Sequence, residues 1–160
     1  MDLIIWRHAE AHEHPEPLQG RPGDPLDLVR RLTPRGEKQA ARMAAWLDRQ
    51  LPESTRVFAS QAQRADQTVQ ALGRRYRYRD ELLPGRHALP LLDLAQWPHA
   101  RSPVLLVGHQ PTLGQLMAHL LGLSAQECPV KKGAVWWLRY RERDGKPQAV
   151  VVTVQTPEML

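Results

Sequence analysis

The chain has 160 residues, 42% hydrophobic and 24% charged, with 22 Lys and Arg against 17 Asp and Glu. That is enough for one domain, expected to span 1–160, with an ordinary globular core and a moderately basic surface. No apolar stretch is long enough to cross a bilayer, and the single cysteine, Cys128, excludes an internal disulfide or a cysteine-rich metal site.

Leu3-Ile4-Ile5-Trp6 is a short apolar run of the kind that forms a buried strand of a parallel sheet, and it stops abruptly at Arg7-His8. Such a strand delivers a cation and an imidazole to the carboxyl edge of the sheet, where open α/β sheets bind ligands. No basic n-region precedes the run, so no secretory signal is expected and a cytoplasmic location is. From Glu10 to Leu28 the chain is polar and rich in proline and glycine, which predicts a long loop. His12 and His14 lack a third ligand at a recognisable spacing, and no metal is expected.

Thr33-Pro34 reads as a helix start, a threonine N-cap followed by proline at the first helical position. The helix runs to Gln50 or Leu51, with Ala40, Met43, Ala44, Leu47 and Leu51 on one apolar face, and Pro52 stops it. Val57 to Ala59 predicts a short strand. Ser60 and Gln63 have the spacing of a capping box, so a helix is expected to begin there and to end at Gly73. Arg64 then falls in its first turn, where a cation opposes the helix dipole unless an anion sits between them. Arg74 to Arg79 alternates arginine with tyrosine and predicts a half-exposed edge strand; the same pattern is also a cue for RNA. A short helix is expected around Leu91 to Trp97.

Val104 to Val107 repeats the opening pattern, a buried strand ending at Gly108-His109, with a helix opened by Gln110 or Pro111 and closed by Gly122. Gly133 to Tyr140 and Ala149 to Val154, separated by Asp144-Gly145, read as a hairpin completing one side of the sheet, with Trp136 and Trp137 on opposite faces.

Three junctions at strand ends thus carry Arg7-His8, Arg64 and His109. On neighbouring parallel strands these side chains converge, and a cluster of two arginines and two histidines persists when it holds an anion such as a phosphoryl group. No Gly-x-Ser-x-Gly elbow, P-loop, dinucleotide fingerprint or Cys-His motif marks another nucleophile or a cofactor. A neutral histidine can itself attack phosphorus.

Arg7-His8-Ala9-Glu10-Ala11, Leu32-Thr33-Pro34-Arg35-Gly36, Ser60-x-x-x-Arg64-Ala65-x-Gln67-Thr68 and Val107-Gly108-His109-Gln110-Pro111 resemble, in order, the successive motifs of the histidine phosphatase superfamily (phosphoglycerate mutase-like). The short length resembles its small SixA-type phosphohistidine phosphatase branch. The resemblance implies a three-layer α/β/α sandwich with a mostly parallel sheet, a phosphatase without metal or other cofactor, and His8 as the phosphorylated nucleophile. It implies that Arg7 and Arg64 bind phosphate, and that His109 binds the phosphoryl group and steadies the transition state. The substrate it implies is a phosphohistidine on a protein, with a small phosphorylated molecule as the alternative. Neither nucleic acid nor membrane is an expected partner, and nothing demands more than a monomer. Ala9, Gln61, Gln110 and Thr112 depart from the usual residues of these motifs. No general acid stands out: Glu81 is the nearest candidate, with Glu10 and Glu13 as others.

Overall fold

The computed structural model describes residues 1–13 and 23–160. One six-stranded sheet organises it. β1 (Asp2–Arg7) lies between β4 (Val104–Gly108), to which it is parallel, and β5 (Val135–Arg143), to which it is antiparallel. With β2 (Arg56–Ala59), β3 (Arg77–Tyr78) and β6 (Lys146–Gln155), the order is β3-β2-β4-β1-β5-β6. β1 to β4 are mutually parallel, and the β5–β6 hairpin adds the antiparallel side.

Strand side chains alternate between two cores, so a strand covered on both faces must be apolar throughout. Leu3, Ile5, Val104 and Leu106 pack with Leu91 and Ala95 of α4 (Pro90–Ala95) and with Leu113, Leu116 and Met117 of α5 (Thr112–Leu120). Ile4, Trp6, Leu105 and Val107 pack with Met43, Ala44 and Leu47 of α2 (Pro34–Gln50) and with Ala65 and Val69 of α3 (Gln63–Gln70). The three-layer α/β/α sandwich with a mostly parallel sheet is therefore present. Trp137 belongs to the α2–α3 core and Trp136 borders the α4–α5 core, on opposite faces as the alternation requires.

α2 starts as expected, with Thr33 Oγ1 accepting from the Gly36 N–H at 3.0 Å. Gly36 matters for a second reason: a Cβ there would lie 1.9 Å from the Glu10 carbonyl oxygen. Its absence lets α2 press on the chain just after His8. The hairpin turns through Asp144 and Gly145, both with positive φ (53° and 72°), and its strands run longer than the sequence suggests.

Other elements differ from expectation. The segment read as loop to Leu28 contains a helix, α1 (Pro25–Leu28), because the Asp24 side chain accepts from the Leu26 N–H and Pro25 supplies a first helical residue. Residues 14–22, including His14 and most of the prolines of that loop, lie outside the described residues. The capping box at Ser60 does not form. Ser60 Oγ accepts from Ala62 N–H at 3.2 Å, and the helix begins after Ala62, which has no side-chain cap. The Arg-Tyr strand is only Arg77–Tyr78, at the sheet edge. Arg74 turns back onto the end of α2, donating to Asp48 Oδ1 at 2.9 Å and to the Pro52 carbonyl at 2.8 Å. Tyr76 and Tyr78 both donate to Asp66 Oδ1, at 2.6 and 2.8 Å. Three of the residues that suggested RNA are thus engaged within the chain. Among the described residues no helix is long and apolar enough to cross a membrane.

Candidate active site

β1 and β4 run side by side, Arg7 opposite Gly108, and the His8 N–H donates to the Gly108 carbonyl at 3.1 Å. The register therefore carries His8 and His109 out of the sheet edge together. Their ring centroids are 5.1 Å apart, with the planes inclined at 53°. Arg64 reaches the same place from the first turn of α3. All three side chains are buried: His8 is 6% exposed, His109 3% and Arg64 3%. Arg7 is half-buried and donates from Nη1 to the Val130 carbonyl at 2.9 Å.

The proton on His8 follows from its partner. His8 Nδ1 lies 2.7 Å from the Ala9 carbonyl oxygen, which can only accept. The hydrogen is therefore on Nδ1, and Nε2 keeps its lone pair. His109 Nε2 lies 2.8 Å from Ser60 Oγ, which already accepts from Ala62 N–H. The Ser60 hydroxyl can donate or accept; we assign it as the donor to Nε2, the tautomer that puts the His109 proton on Nδ1 and makes Nδ1 a donor.

The electrostatics keep both rings neutral. Burial first, then the Arg64 guanidinium, push His8 down to about 3; the Ala9 hydrogen bond opposes them, and Arg7 adds a smaller downward push. Burial first, then His8, Arg64 and Arg7, hold His109 well below the usual histidine range. Burial also lowers Arg7 and Arg64; Asp27 partly offsets this for Arg64.

Arg7 Nε, Arg64 Nε and His109 Nδ1 are buried with no hydrogen-bond partner among the described residues. A buried donor left unpaired costs about 1–3 kcal/mol. Three such nitrogens on the side chains clustered with His8 suit an anion with several acceptor oxygens. A tetrahedral phosphoryl group fits that requirement. Among the described residues no three His, Cys, Asp or Glu side chains are grouped to hold a metal ion.

The four basic residues singled out from the sequence, Arg7, His8, Arg64 and His109, are thus brought together. Two further residues were not singled out. Ser60, read as a helix cap, faces His109. Asp27, read as loop, binds Arg64, with Nη1 donating to its carbonyl at 2.7 Å and Nη2 to Oδ2 at 3.1 Å. Thr68 links the parts: its Oγ1 accepts from Ala9 N–H at 3.1 Å and donates to the Arg64 carbonyl at 2.7 Å.

The acidic candidates are placed differently. Thr33 Oγ1 donates to Glu10 Oε2 at 2.7 Å, which ties Glu10 to the start of α2. Glu13 is exposed. Glu81 lies in a 3-10 turn (Asp80–Leu82) whose Leu82 side chain approaches within 3.4 Å of where a Gly108 Cβ would be, so it is near the end of β4. None of the three is hydrogen-bonded to the four basic residues among the described residues.

A model of the histidine phosphatase superfamily (branch 1) matches residues 3–85, just over half of the chain. The chain belongs to the histidine phosphatase superfamily. Among solved structures, it is similar to a protein from Nakamurella multipartitia assigned as the phosphohistidine phosphatase SixA. The two are 27% identical with a TM-score of 0.74, over 98% of this chain and 95% of that one. It is also similar to the protein histidine phosphatase SixA complexed with tungstate, 25% identical with a TM-score of 0.73 over 99% of both chains. A phosphoserine phosphatase from Entamoeba histolytica in complex with 3-phosphoglyceric acid shares the fold, with a TM-score of 0.72 at 16% identity over 97% of this chain and 96% of that one. The family and these neighbours place the chain among phosphatases, in the SixA-type branch.

Proposed function

We propose that this phosphatase dephosphorylates phosphohistidine on a protein, through a phosphoenzyme formed on His8. The observation that carries the reading is the Nδ1–H of His8 held by the Ala9 carbonyl, which leaves Nε2 with its lone pair on a ring kept neutral by burial and by the field of Arg64 and Arg7. The Nε2 lone pair attacks phosphorus in line and forms an N–P bond, while the N–P bond of the substrate breaks and the leaving imidazole takes a proton from solvent water. Water then attacks the phosphorus of phospho-His8. Its N–P bond breaks, a proton is released, and neutral His8 and inorganic phosphate remain. Arg7, Arg64 and His109 Nδ1–H bind the phosphoryl oxygens in both steps, and their effect grows as charge shifts in the transition state.

The substrate class follows from the acid. A leaving imidazole needs less proton assistance than a leaving alkoxide, and among the described residues none of Glu10, Glu13 and Glu81 is hydrogen-bonded to the four basic residues, while the Asp27 carboxylate is taken up by Arg64. The reading takes the chain as a single domain that works as a monomer and without a metal. The test compares hydrolysis of a phosphohistidine-bearing phosphotransfer protein with that of p-nitrophenyl phosphate and a sugar phosphate. Activity confined to the phosphohistidine protein and lost in His8→Ala supports the reading. Faster hydrolysis of the sugar phosphate overturns the substrate class in favour of a small-molecule phosphomonoesterase, with Glu81 as the acid to examine.

A further inference from the structure

Asp27 precedes Arg64 by 37 residues and comes from a different element, α1. Its side chain is buried, the residue being 7% exposed, and a buried carboxylate has to be satisfied. Oδ2 accepts from Arg64 Nη2 at 3.1 Å and from Gly23 N–H at 3.2 Å, and Oδ1 lies 3.1 Å from Arg30 Nε. With the Asp27 carbonyl on Arg64 Nη1 at 2.7 Å, one residue holds both terminal nitrogens of Arg64.

A guanidinium offers two donor forks, one made by its two terminal nitrogens and a lateral one that includes Nε. Asp27 occupies the terminal fork of Arg64. The lateral fork is left, and its Nε is buried without a partner among the described residues. Arg7 is held at one terminal nitrogen, with Nη1 on the Val130 carbonyl, and its Nε too is without a partner among the described residues. An arginine gripped at its end can turn only its side to a ligand.

We propose that Asp27 is a positioning residue for phosphoryl transfer: it grips the terminal fork of Arg64 so that the lateral fork faces the phosphoryl oxygens. This rests on the phosphoryl-pocket reading above. The same carboxylate draws in Arg30, a third cation whose field reaches His8 and His109. The carboxylate also offsets repulsion among three arginines that would otherwise splay Arg64 away from the pocket.

The test is a double-mutant cycle read by calorimetric binding of inorganic phosphate to the full chain, with thermal unfolding as the control for folding. Arg64→Ala, Asp27→Ala and the double variant are compared with the wild type. Asp27→Ala is expected to weaken phosphate binding about tenfold in the wild type and less than twofold in Arg64→Ala. Asp27→Asn keeps the shape and an acceptor oxygen; it is expected to lose affinity to an intermediate degree, and it carries the cycle if Asp27→Ala unfolds. An equal loss in both backgrounds, or no loss in the wild type, overturns the proposal by making Asp27 structural or idle. The pocket reading fails separately, if phosphate does not bind the wild type or Arg64→Ala binds it unchanged.

Discussion

β1 and β4 are adjacent, parallel and in register, and each ends in a buried histidine. The two ends differ in what holds the ring. At the β1 end a backbone carbonyl takes the Nδ1 proton of His8 and leaves Nε2 as a lone pair. At the β4 end a hydroxyl pairs with Nε2 of His109, and Nδ1 has no partner among the described residues. The first arrangement suits a nucleophile and the second a donor to an oxygen. One residue type, placed twice by the same strand geometry, acquires two chemistries from the atom that faces it.

The comparison can be broken most sharply at the β1 end. His8→Ala is expected to lower turnover by about 10³ or more, because it removes the attacking nitrogen, whereas His109→Gln, which keeps a donor, is expected to lose less. Single-turnover kinetics on a phosphohistidine protein check both. Arg64→Ala and Arg7→Ala are expected to cost about 10²–10³ in rate, the usual loss for one clamp on a developing oxyanion.

The depressed His8 gives a pH dependence of stability. Its pKa in the fold, about 3, lies below the ordinary value of 6.5 that the unfolded chain restores. Between these values the unfolded state binds more protons, so stability is full above the upper value and is lost as pH falls towards the lower one. The loss is on the order of a few kcal/mol across that window. Urea unfolding of wild type and His8→Gln at pH 7 and pH 4.5 measures it, with the wild type expected to lose more. Ser60→Ala sharpens the β4 end: losing the hydroxyl that pairs with His109 Nε2 is expected to cost about tenfold in kcat, and to lower Tm by several degrees because His109 Nε2 and the Ala62 N–H lose a buried partner. Glu81→Gln is expected to change phosphohistidine hydrolysis less than about threefold, since an imidazole leaving group draws little on an acid. A pH–rate profile that loses a limb in Glu81→Gln would refute this.

Much of this arrangement is legible in the chain because it is local. The apolar runs before Arg7-His8 and Gly108-His109 specify strands buried on both faces, and a strand end fixes where the next residue goes. Thr33-Pro34 specifies its helix for the same reason. The anchors are not local. Ser60 has the spacing of a capping box, yet its hydroxyl serves the nearby Ala62 amide and a ring 49 residues away. Asp27 sits among prolines and glycines that predict only loop, and nothing in that stretch reveals a partner in α3. Arg64 shows the gap most clearly: its position against the helix dipole points to an anion, and the structure supplies a carboxylate at one fork while its Nε has no partner among the described residues.

The central claim is that His8 carries the phosphoryl group during turnover. Rapid quenching of the enzyme with a 32P-phosphohistidine protein, followed by peptide mapping, tests it directly. The expected result is label on His8 that is stable in alkali, labile in acid and absent from His8→Ala. Release of phosphate by His8→Ala at the wild-type rate, or label on another residue, would contradict it.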